Sequence, residues 1–413
     1  MKTQNTFDVI VIGGGPSGMM AAGRAAELGK SVLLIEKNPK LGEKLKITGG
    51  GRCNITNAEE DIHTFLKNYG KAAPFLYSSF SQFSNLDCFP FFEKLGLPLV
   101  VQARKRAFPH TEKALDVFKA MEKYMKNGGV TVLPGTKVSR ITKDGNRITG
   151  VLAGGEVYTA KGYILATGGL SHPETGSTGD GFGWLKALGH TVADSTPTVV
   201  PIATKEHWGH SLSGVSLSFM KITFFVDGKK AFSKTGKLLF THFGLSGPLI
   251  LNSAATVGDL LHTGLVTARI DSYPDTDHGT LEKKIINIFD ANKNRMVKNV
   301  IDEIVPHGMQ HAIFDIVRIL PDTKVHSMTK EERKELVDTL KALPLTITGL
   351  LGLDKAVVAD GGIPLTEIDT KTMRSKLFEN LYITGDMLHI NRPSGGFSLQ
   401  LCWTSGFVSG TNA

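Results

Sequence analysis

The sequence predicts an α/β protein with three parts: an α/β part formed by both ends of the chain, a small β-domain and a helical insertion. A strand, a glycine-rich turn, a helix and a second strand follow one another within the first 36 residues. After residue 197 the chain has the pattern of strands with polar connections, and from residue 280 the apolar residues recur with a helical period. Beyond residue 356 short strands and glycine turns return, so the insertions interrupt an α/β domain.

The N-terminal pattern is that of a βαβ unit. The apolar run over 7–12 has the length and β-branched composition of a strand, and 19–28 has a helical pattern. A second apolar strand is predicted over 31–35. Between the first strand and the helix stand glycines with the spacing G-x-G-x-x-G, which in this order of elements predicts a dinucleotide site.

Three glycines and one acid give this unit its chemistry. Gly13 permits the tight turn, Gly15 lets the backbone approach a pyrophosphate, and Gly18 lets the helix pack closely on the strand. The helix N-terminus offers unpaired N–H groups to the phosphates. Glu36 can accept hydrogen bonds from a ribose diol, which favours NAD or the AMP half of FAD over NADP. A glycine-rich turn without a ligand is the alternative.

The remaining elements are short and are separated by Gly, Pro and Asp-Gly turns. In the first part we predict a helix over 111–127, strands over 130–133, 136–142, 147–153, 156–161 and 163–166, a short helix ending near 189, and then strands over 356–359 and 381–384 and a helix over 398–408. In the insertions we predict strands over 198–203, 212–226 and 237–240 and helices over 280–295, 297–305 and 309–320. A last helix begins with a capping box of Thr329 and Glu332 and ends before Pro344.

Composition excludes several classes of protein. The chain has 413 residues, 41% of them hydrophobic, and a formal net charge of +8, so it is not a disordered chain. Its three cysteines exclude a disulfide framework and a cysteine-rich zinc module, and no His, Cys or Asp spacing indicates a metal site. No apolar run is long enough for a transmembrane helix, and the run over 9–12 is too short for a signal peptide. We therefore expect a cytoplasmic protein without a membrane partner.

Four motifs resemble a known family. They are the N-terminal fingerprint, TGGGRCN at 48–54, FTHFGLSGP at 240–248 and LYITGD at 381–386. In these the chain resembles three-domain bacterial FAD-dependent oxidoreductases, whose branches are named aminoacetone-oxidase-like, BaiN-like and YhiN-like. The resemblance implies a Rossmann-like FAD-binding domain formed by 1–194 and 354–413. It also implies an inserted β-rich substrate domain over 195–276 and 345–353, and an inserted helical domain over 277–344.

The resemblance also implies the residues that contact FAD. They lie on the pyrophosphate turn, the ribose acid, the loop beside the flavin, the adenine strand, the second FAD turn, the ribityl acid and the turn at the flavin edge: Gly13, Gly15, Pro16, Ser17, Gly18, Glu36, Lys37, Lys44, Gly51, Arg52, Cys53, Asn54, Val138, Thr167, Gly168, Gly169, Thr178, Gly179, Asp180, Gly385, Asp386, Gly395, Gly396 and Phe397. The chain departs from the family pattern in three places. Asp386 replaces a Glu, His389 replaces an Asp, and Phe397-Ser398 replaces Tyr-Asn.

Three residues are candidates for a direct role in the reaction. Arg52 could place a fixed positive charge beside the flavin, or could instead bind a phosphate or a structural partner. Cys53 could be a nucleophile, although a small buried thiol packing beside the ring is favoured. His242 could donate a proton to substrate, and a hydrogen-bonded structural histidine is the alternative.

The resemblance and the charge pattern together lead to a function. We expect two-electron transfer through flavin N5, with NAD(P)H as the electron donor. No second GxGxxG follows a strand later in the chain, so we expect NAD(P)H to bind only transiently. The expected reaction reduces an activated C=C bond, with uridine in ribosomal RNA as the leading substrate. Oxidation of a small amine or aminoketone by O₂ is one alternative, and a non-catalytic FAD-binding sensor is another.

Basic regions of the chain favour a polyanionic substrate. Segments 37–52, 102–126 and 205–237 each carry an excess of four positive charges. A solvated surface and the FAD phosphates would account for them equally well. No obligate protein partner is evident.

Overall fold

The computed structural model describes residues 5–413 and has an α/β architecture. Its strands are β1 (Thr6–Ile12), β2 (Val32–Ile35), β3 (Thr56–Asn57), β4 (Leu99–Gln102), β5 (Arg106–Pro109), β6 (Thr131–Leu133), β7 (Val138–Asp144), β8 (Arg147–Ala153), β9 (Glu156–Leu165), β10 (Ala193–Val199), β11 (Ile202–Thr204), β12 (Ser216–Val226), β13 (Lys229–Thr241), β14 (Gly244–Ser246), β15 (Val266–Asp271), β16 (Leu343–Leu350), β17 (Val358–Gly362), β18 (Ile368–Asp369), β19 (Arg374–Ser375) and β20 (Leu381–Ile383).

Its helices are α1 (Pro16–Glu27), α2 (Glu43–Ile47), α3 (Ile62–Leu66), α4 (Ala73–Phe80), α5 (Cys88–Lys94), α6 (Ala114–Asn127), α7 (Asp180–Leu188), α8 (His207–Ser211), α9 (Pro248–Leu251), α10 (Ala254–Leu261), α11 (His278–Ala291), α12 (Gln310–Val317), α13 (Lys330–Lys341) and α14 (Phe397–Asn412). Within residues 5–413 no helix is both long enough and apolar enough to cross a membrane.

Two compact units make up the chain. The first comprises the chain up to Pro197 together with Ala356–Ala413, and the second comprises Thr198–Lys355. The α/β class is thus confirmed, with a Rossmann-like domain built from both ends of the chain. The finer division of the second unit at 277 and 344, and the other predicted domain limits, stay predictions.

A sheet in the order β18-β19-β20-β9-β1-β2-β6 forms the centre of the first unit. The neighbours of β1 run parallel to it, with Ile10 paired to Tyr163 on β9 and to Leu33 on β2. Because side chains alternate along a strand, Ile10 packs in one apolar cluster and its neighbours Val9 and Val11 pack in the other. Both faces of the sheet are therefore covered, as expected of parallel strands.

The second unit contains a closed barrel with helices beside it. The barrel follows the order β11-β14-β13-β12-β15-β16. Helix α13 begins with the predicted capping box, in which Thr329 Oγ1 accepts from the Glu332 N–H and the Glu332 carboxylate accepts from the Thr329 N–H. The β-domain and the helical insertion of the fold prediction are both present in this unit.

Some predicted elements were wrong in detail. The helix predicted over 297–305 is two short 3-10 turns, since Val300 has φ −122° and the segment is rich in β-branched residues with low helix propensity. The strands predicted over 156–161 and 163–166 are one strand, β9. Gly162 does not break it, because that glycine allows close packing against Ala413. The helices α3, α4 and α5 and the strands β3, β4 and β5 were not predicted.

Candidate active site

The glycine turn after β1 is tightly packed on one side and open on the other. Gly13 has φ +108°, and a Cβ there or at Gly18 would collide with a backbone oxygen, of Ala166 or of Gly13 respectively. A Cβ at Gly15, in contrast, would have no heavy atom within 4 Å. Helix α1 starts at the next residue, and no side chain caps its N-terminus. The turn therefore leaves room above a helix N-terminus, the geometry that suits an anionic group.

Glu36 holds this turn together from the end of β2. Its Oε2 accepts from the Gly14 N–H at 2.7 Å and its Oε1 accepts from the Asn38 N–H at 2.7 Å. The residue is 9% exposed. Each oxygen retains a lone pair for a ribose hydroxyl, so the cofactor role of Glu36 stays a prediction. Its structural role in the turn was not indicated by the sequence.

Two lysines connect β2 and α2 to the loops after β9. Lys37 Nζ pairs with Asp180 Oδ2 at 2.8 Å, and it also donates to the Thr178 hydroxyl. Lys44 Nζ is buried and donates to the Ser171 carbonyl at 2.6 Å and to Ser177 Oγ at 2.7 Å. Burial lowers the pKa of Lys44. Both lysines thereby hold the segment 171–180, which follows the predicted second FAD turn.

That second turn follows β9 directly. Gly168 has φ +75°, and its Cβ would stand 2.9 Å from Ser177 Oγ. Thr167 Oγ1 donates to Met387 Sδ at 3.3 Å, which connects this turn to the Gly385–Met387 turn. Gly169 lies against Asp386, whose carbonyl oxygen would be 3.1 Å from a Cβ at that position. Tertiary structure thus brings the two turns together.

Other predicted residues lie around the same region. Ser17, in the first turn of α1, shares a hydrogen bond with the Thr384 hydroxyl. Val138 is buried at the start of β7, next to Thr136, whose N–H donates to the Glu36 carbonyl. Pro16 is the first residue of α1, and Gly179, with φ +78°, precedes α7. Contact of these residues with a cofactor stays a prediction.

The triple-glycine segment after α2 has a left-handed backbone. Gly49, Gly50 and Gly51 all have positive φ values, from +58° to +85°. A Cβ at Gly50 or Gly51 would meet no heavy atom within 4 Å. The segment thus presents open backbone, as predicted for a loop that lies against a large ligand.

Arg52 is bound to protein groups at the surface. Its Nε and Nη2 donate to the two carboxylate oxygens of Glu112 at 2.9 and 2.7 Å, and Nη2 also donates to Gln102 Oε1 at 2.7 Å. The guanidinium lies 4.5 Å from the centroid of the Phe108 ring. These contacts favour the structural alternative for Arg52, because Glu112 neutralises the charge that the tuning role requires.

Cys53 is fully buried and has φ +59°. Burial raises the pKa of its thiol to about 12. A thiol in this state is protonated at neutral pH, which supports packing over nucleophilic attack. Cys88 and Cys402 are also free and buried.

Asn54 connects the glycine segment to the C-terminal helix. With its amide oriented to satisfy both ends, Oδ1 accepts from the Gly396 N–H at 3.0 Å and Nδ2 donates to the Thr56 carbonyl at 3.0 Å. Gly396 has φ +103°, and a Cβ there would collide with the Thr56 backbone. Gly395, with φ +121°, stands before it. The loop beside the flavin and the turn at the flavin edge are therefore one packed structure.

Phe397 begins α14 and is buried against two aromatic residues. Its ring centroid is 5.0 Å from that of Phe65, and its carbonyl accepts from the Tyr69 hydroxyl at 2.9 Å. No side chain caps α14. The first-turn N–H groups of a 16-residue helix are thus directed towards the predicted flavin edge.

Arg392 belongs to this site and was missed by sequence reasoning. Its guanidinium, with 1% of the side chain exposed, pairs with Asp386 Oδ1. It also donates to the Ile390 carbonyl at 2.7 Å and to Ser398 Oγ at 3.1 Å. The Gly385 N–H, one residue before Asp386, donates to Ser405 Oγ at 2.9 Å. Only the unusual Arg-Pro before a glycine turn could have drawn attention to Arg392.

His242 lies in the second unit, on the turn between β13 and β14. Its ring centroid is 4.8 Å from that of Phe243. The first unit contains every other predicted site residue. A role for His242 in the reaction stays a prediction.

The residues of the first unit fit an FAD molecule. The opening at Gly15 suits a pyrophosphate, Glu36 faces the same turn, and α14 begins beside the triple-glycine segment. A model of the HI0933-like protein Rossmann domain family matches residues 7–412. The chain belongs to this family. As an HI0933-like protein it is an FAD-dependent oxidoreductase.

Relatives of this HI0933-like protein align along nearly the whole chain. It is 26% identical over 406 residues to the 3-dehydro-bile acid delta(4,6)-reductase of Clostridium scindens, with 98% of each chain covered. It is 28% identical over 404 residues to the ribosomal RNA dihydrouridine synthase of Haemophilus influenzae, covering 97% of this chain and 96% of the relative.

A solved structure shares the fold of the HI0933-like protein. The 3-ketosteroid-delta4-(5alpha)-dehydrogenase from Rhodococcus jostii RHA1 superposes with a TM-score of 0.55 at 14% identity, covering 100% of this chain and 98% of that chain. At this identity the likeness shows the fold alone.

Proposed function

We propose that this protein reduces a carbon–carbon double bond conjugated with a carbonyl group, using bound FAD and NAD(P)H as the electron donor. One observation carries the proposal. Two relatives that align with 98% and 97% of the chain are named as a 3-dehydro-bile acid delta(4,6)-reductase and a ribosomal RNA dihydrouridine synthase. A dienone and a uracil ring both contain a C=C bond next to a carbonyl, so one reaction type connects substrates of very different size.

The residues of the first unit take defined parts in this proposal. FAD, when bound, supplies two-electron transfer as hydride through its N5 atom. Gly15 and the α1 N-terminus hold the pyrophosphate, and Glu36 accepts from the ribose. The first turn of α14, after the Gly395–Gly396 turn, would direct its backbone N–H groups at the flavin edge, where they would stabilise negative charge.

NAD(P)H is proposed to bind the site only transiently. A dedicated dinucleotide domain would carry a second glycine fingerprint after a strand, and the middle of the sequence has none. The donor would therefore visit the site transiently and would not occupy a domain of its own. The proposal covers NADH and NADPH alike.

Uridine in ribosomal RNA is the proposed substrate. The excess of four positive charges in each of the segments 37–52, 102–126 and 205–237 suits a polyanion. A cytoplasmic location belongs to the same proposal, because ribosomal RNA is found there and because the three cysteines are free thiols.

Two measurements test the proposal. Purified holoprotein is mixed anaerobically with NADH or NADPH, and rapid bleaching of the flavin absorbance is expected. Ribosomal RNA from a host lacking the gene is then compared with wild-type RNA by mass spectrometry, and loss of a dihydrouridine is expected.

Other outcomes would contradict the proposal. Bleaching by an amine but not by nicotinamides would replace it with the oxidase alternative, and peroxide would then form in air. Inertness to both donors would favour a non-catalytic sensor. Bleaching by NAD(P)H with unchanged RNA would move the substrate to a small enone.

A further inference from the structure

A basic turn lies beside the predicted flavin edge in the first unit. It comprises Ala103–Lys105 and the first residue of β5, Arg106. Asn57 Nδ2 connects it to the flavin-edge turn, since it donates to the Arg104 carbonyl at 3.1 Å and to the Gly395 carbonyl at 3.4 Å. The basic turn is therefore connected through one side chain to the predicted flavin-edge turn.

The backbone of the basic turn is held in an uncommon conformation. Arg104 has φ +61° and Lys105 has φ +56°, although neither is a glycine. The Lys105 carbonyl accepts from the Ala58 N–H at 2.6 Å, and Arg106 Nε donates back to the Ala103 carbonyl at 3.1 Å. Two successive non-glycine residues with positive φ strain the backbone, and the contacts above must offset that strain. Strained backbone of this kind is typical of functional turns.

Acidic residues neutralise only part of the positive charge. Lys105 pairs with Glu59 at 2.8 Å, and Arg52 pairs with Glu112 at 2.7 Å. Within the described chain, no carboxylate pairs with Arg104 or Arg106. Arg106 lies 5.8 Å from the centroid of Phe108, the ring that Arg52 also covers. Burial and the neighbouring Arg104 and Arg52 lower the pKa of Arg106.

The guanidinium groups of Arg104 and Arg106 have no carboxylate partner in the described chain, so they offer positive charge to an anion beside the flavin-edge turn. We propose that Arg104 and Arg106 bind a phosphate group of a molecule that reaches the flavin edge. Arginine forks match phosphate oxygens, and the partly buried Arg106 meets less competition from water than a surface lysine does. The phosphate belongs either to the nicotinamide donor or to an RNA backbone. The choice of these two phosphate sources rests on the proposed function. Binding of a phosphate group is inferred from the two arginines of the turn alone.

The test uses the holoprotein and three variants. Arg104→Gln removes a side chain without a partner in the described chain, so it will not unfold the protein, and Arg104→Gln/Arg106→Gln removes both charges. Arg374→Gln, an exposed arginine on β19, is the matched control. Three probes are used: NADPH against NADH in anaerobic flavin reduction, ribosomal RNA in a binding assay at two salt concentrations, and inorganic pyrophosphate by calorimetry.

Each source gives its own result. Loss of at least about tenfold in NADPH affinity, with NADH little changed, would assign the turn to the donor's 2′-phosphate. Equal losses for NADPH and NADH would assign it to their shared pyrophosphate. Weaker RNA binding, with a slope of log affinity against log salt reduced by about 1 to 2, would assign it to the RNA backbone.

The proposal is overturned if both arginine variants match Arg374→Gln with all three probes. Failure of the proposed function looks different. In that case the wild-type holoprotein is not reduced by either nicotinamide and host RNA is unchanged, yet weaker pyrophosphate binding in the variants still supports the phosphate site.

Discussion

The guanidinium of Arg392 is buried against the carboxylate of Asp386, between the two turns predicted to face the flavin. A buried ion pair is stable only when its remaining hydrogen-bonding groups are satisfied, and here Ile390 and Ser398 accept from the same guanidinium. Because the pair is desolvated, loss of Arg392 would leave the charge of Asp386 little screened by water, whereas Arg52 and Glu112 lie at the surface, where solvent screens their charges.

Arg392→Met should therefore lower the flavin midpoint potential more than Arg52→Met does. Removing the cation leaves Asp386 as an uncompensated negative charge, which disfavours added electrons on the cofactor. Spectroelectrochemical titration of both variants measures the difference. The double variant Arg392→Met/Asp386→Asn removes both charges and should recover part of the shift. A larger shift in Arg52→Met would return the tuning role to Arg52.

Gly15→Val should abolish most FAD occupancy without unfolding the protein. Gly15 has φ −79°, which valine adopts, and its Cβ would point into open space. That space is the proposed pyrophosphate position, so the side chain excludes the cofactor. Flavin content after purification is the measurement, and Gly349→Val, at another open position in β16, is the control. Full flavin content in Gly15→Val would mean that the pyrophosphate binds elsewhere.

Glu36→Ala should weaken FAD binding by roughly 1.5–3 kcal/mol, the range for hydrogen bonds to charged groups. It should also destabilise the FAD-free protein, because the Gly14 N–H loses its buried acceptor. Fluorescence titration gives the affinity and thermal unfolding gives the stability. Glu36→Gln keeps one acceptor and should lie between wild type and Glu36→Ala. Unchanged affinity with lost stability would show that the acid only holds the turn.

Cys53→Ala should retain flavin reduction, at a stability cost of about 0.5–3 kcal/mol at pH 7. Burial raises the pKa of Cys53 to about 12, above its ordinary value of 9.0. The thiol therefore contributes its full stability below about pH 9 and loses that contribution as the pH rises towards 12. Chemical denaturation of both proteins between pH 7 and pH 11 should show the difference in unfolding free energy narrowing. Loss of flavin reduction in a folded Cys53→Ala variant would instead support a direct role for Cys53 in the reaction.

Local pattern was enough for a substantial part of the protein. Strand β1, the glycine turn, α1 and the acid after β2 lie within 36 residues, so their spacing alone predicts the βαβ unit. The capping box of Thr329 and Glu332 is local in the same way. The turn at Gly395–Gly396 was expected from the family resemblance, and both glycines have positive φ there.

Contacts between distant residues were decided only by the tertiary structure. Lys44 was expected to contact FAD, and its part-buried bond to Ser177 joins residues 133 positions apart. Arg52 was expected beside the flavin, and it is neutralised by Glu112, 60 positions away. Arg392 is buried because α14 and the turn after β20 close around it. The sequence by itself determined the βαβ unit and the capped start of α13, since these depend on neighbouring residues. The charge state and exposure of a side chain depend on what the folded chain packs against it.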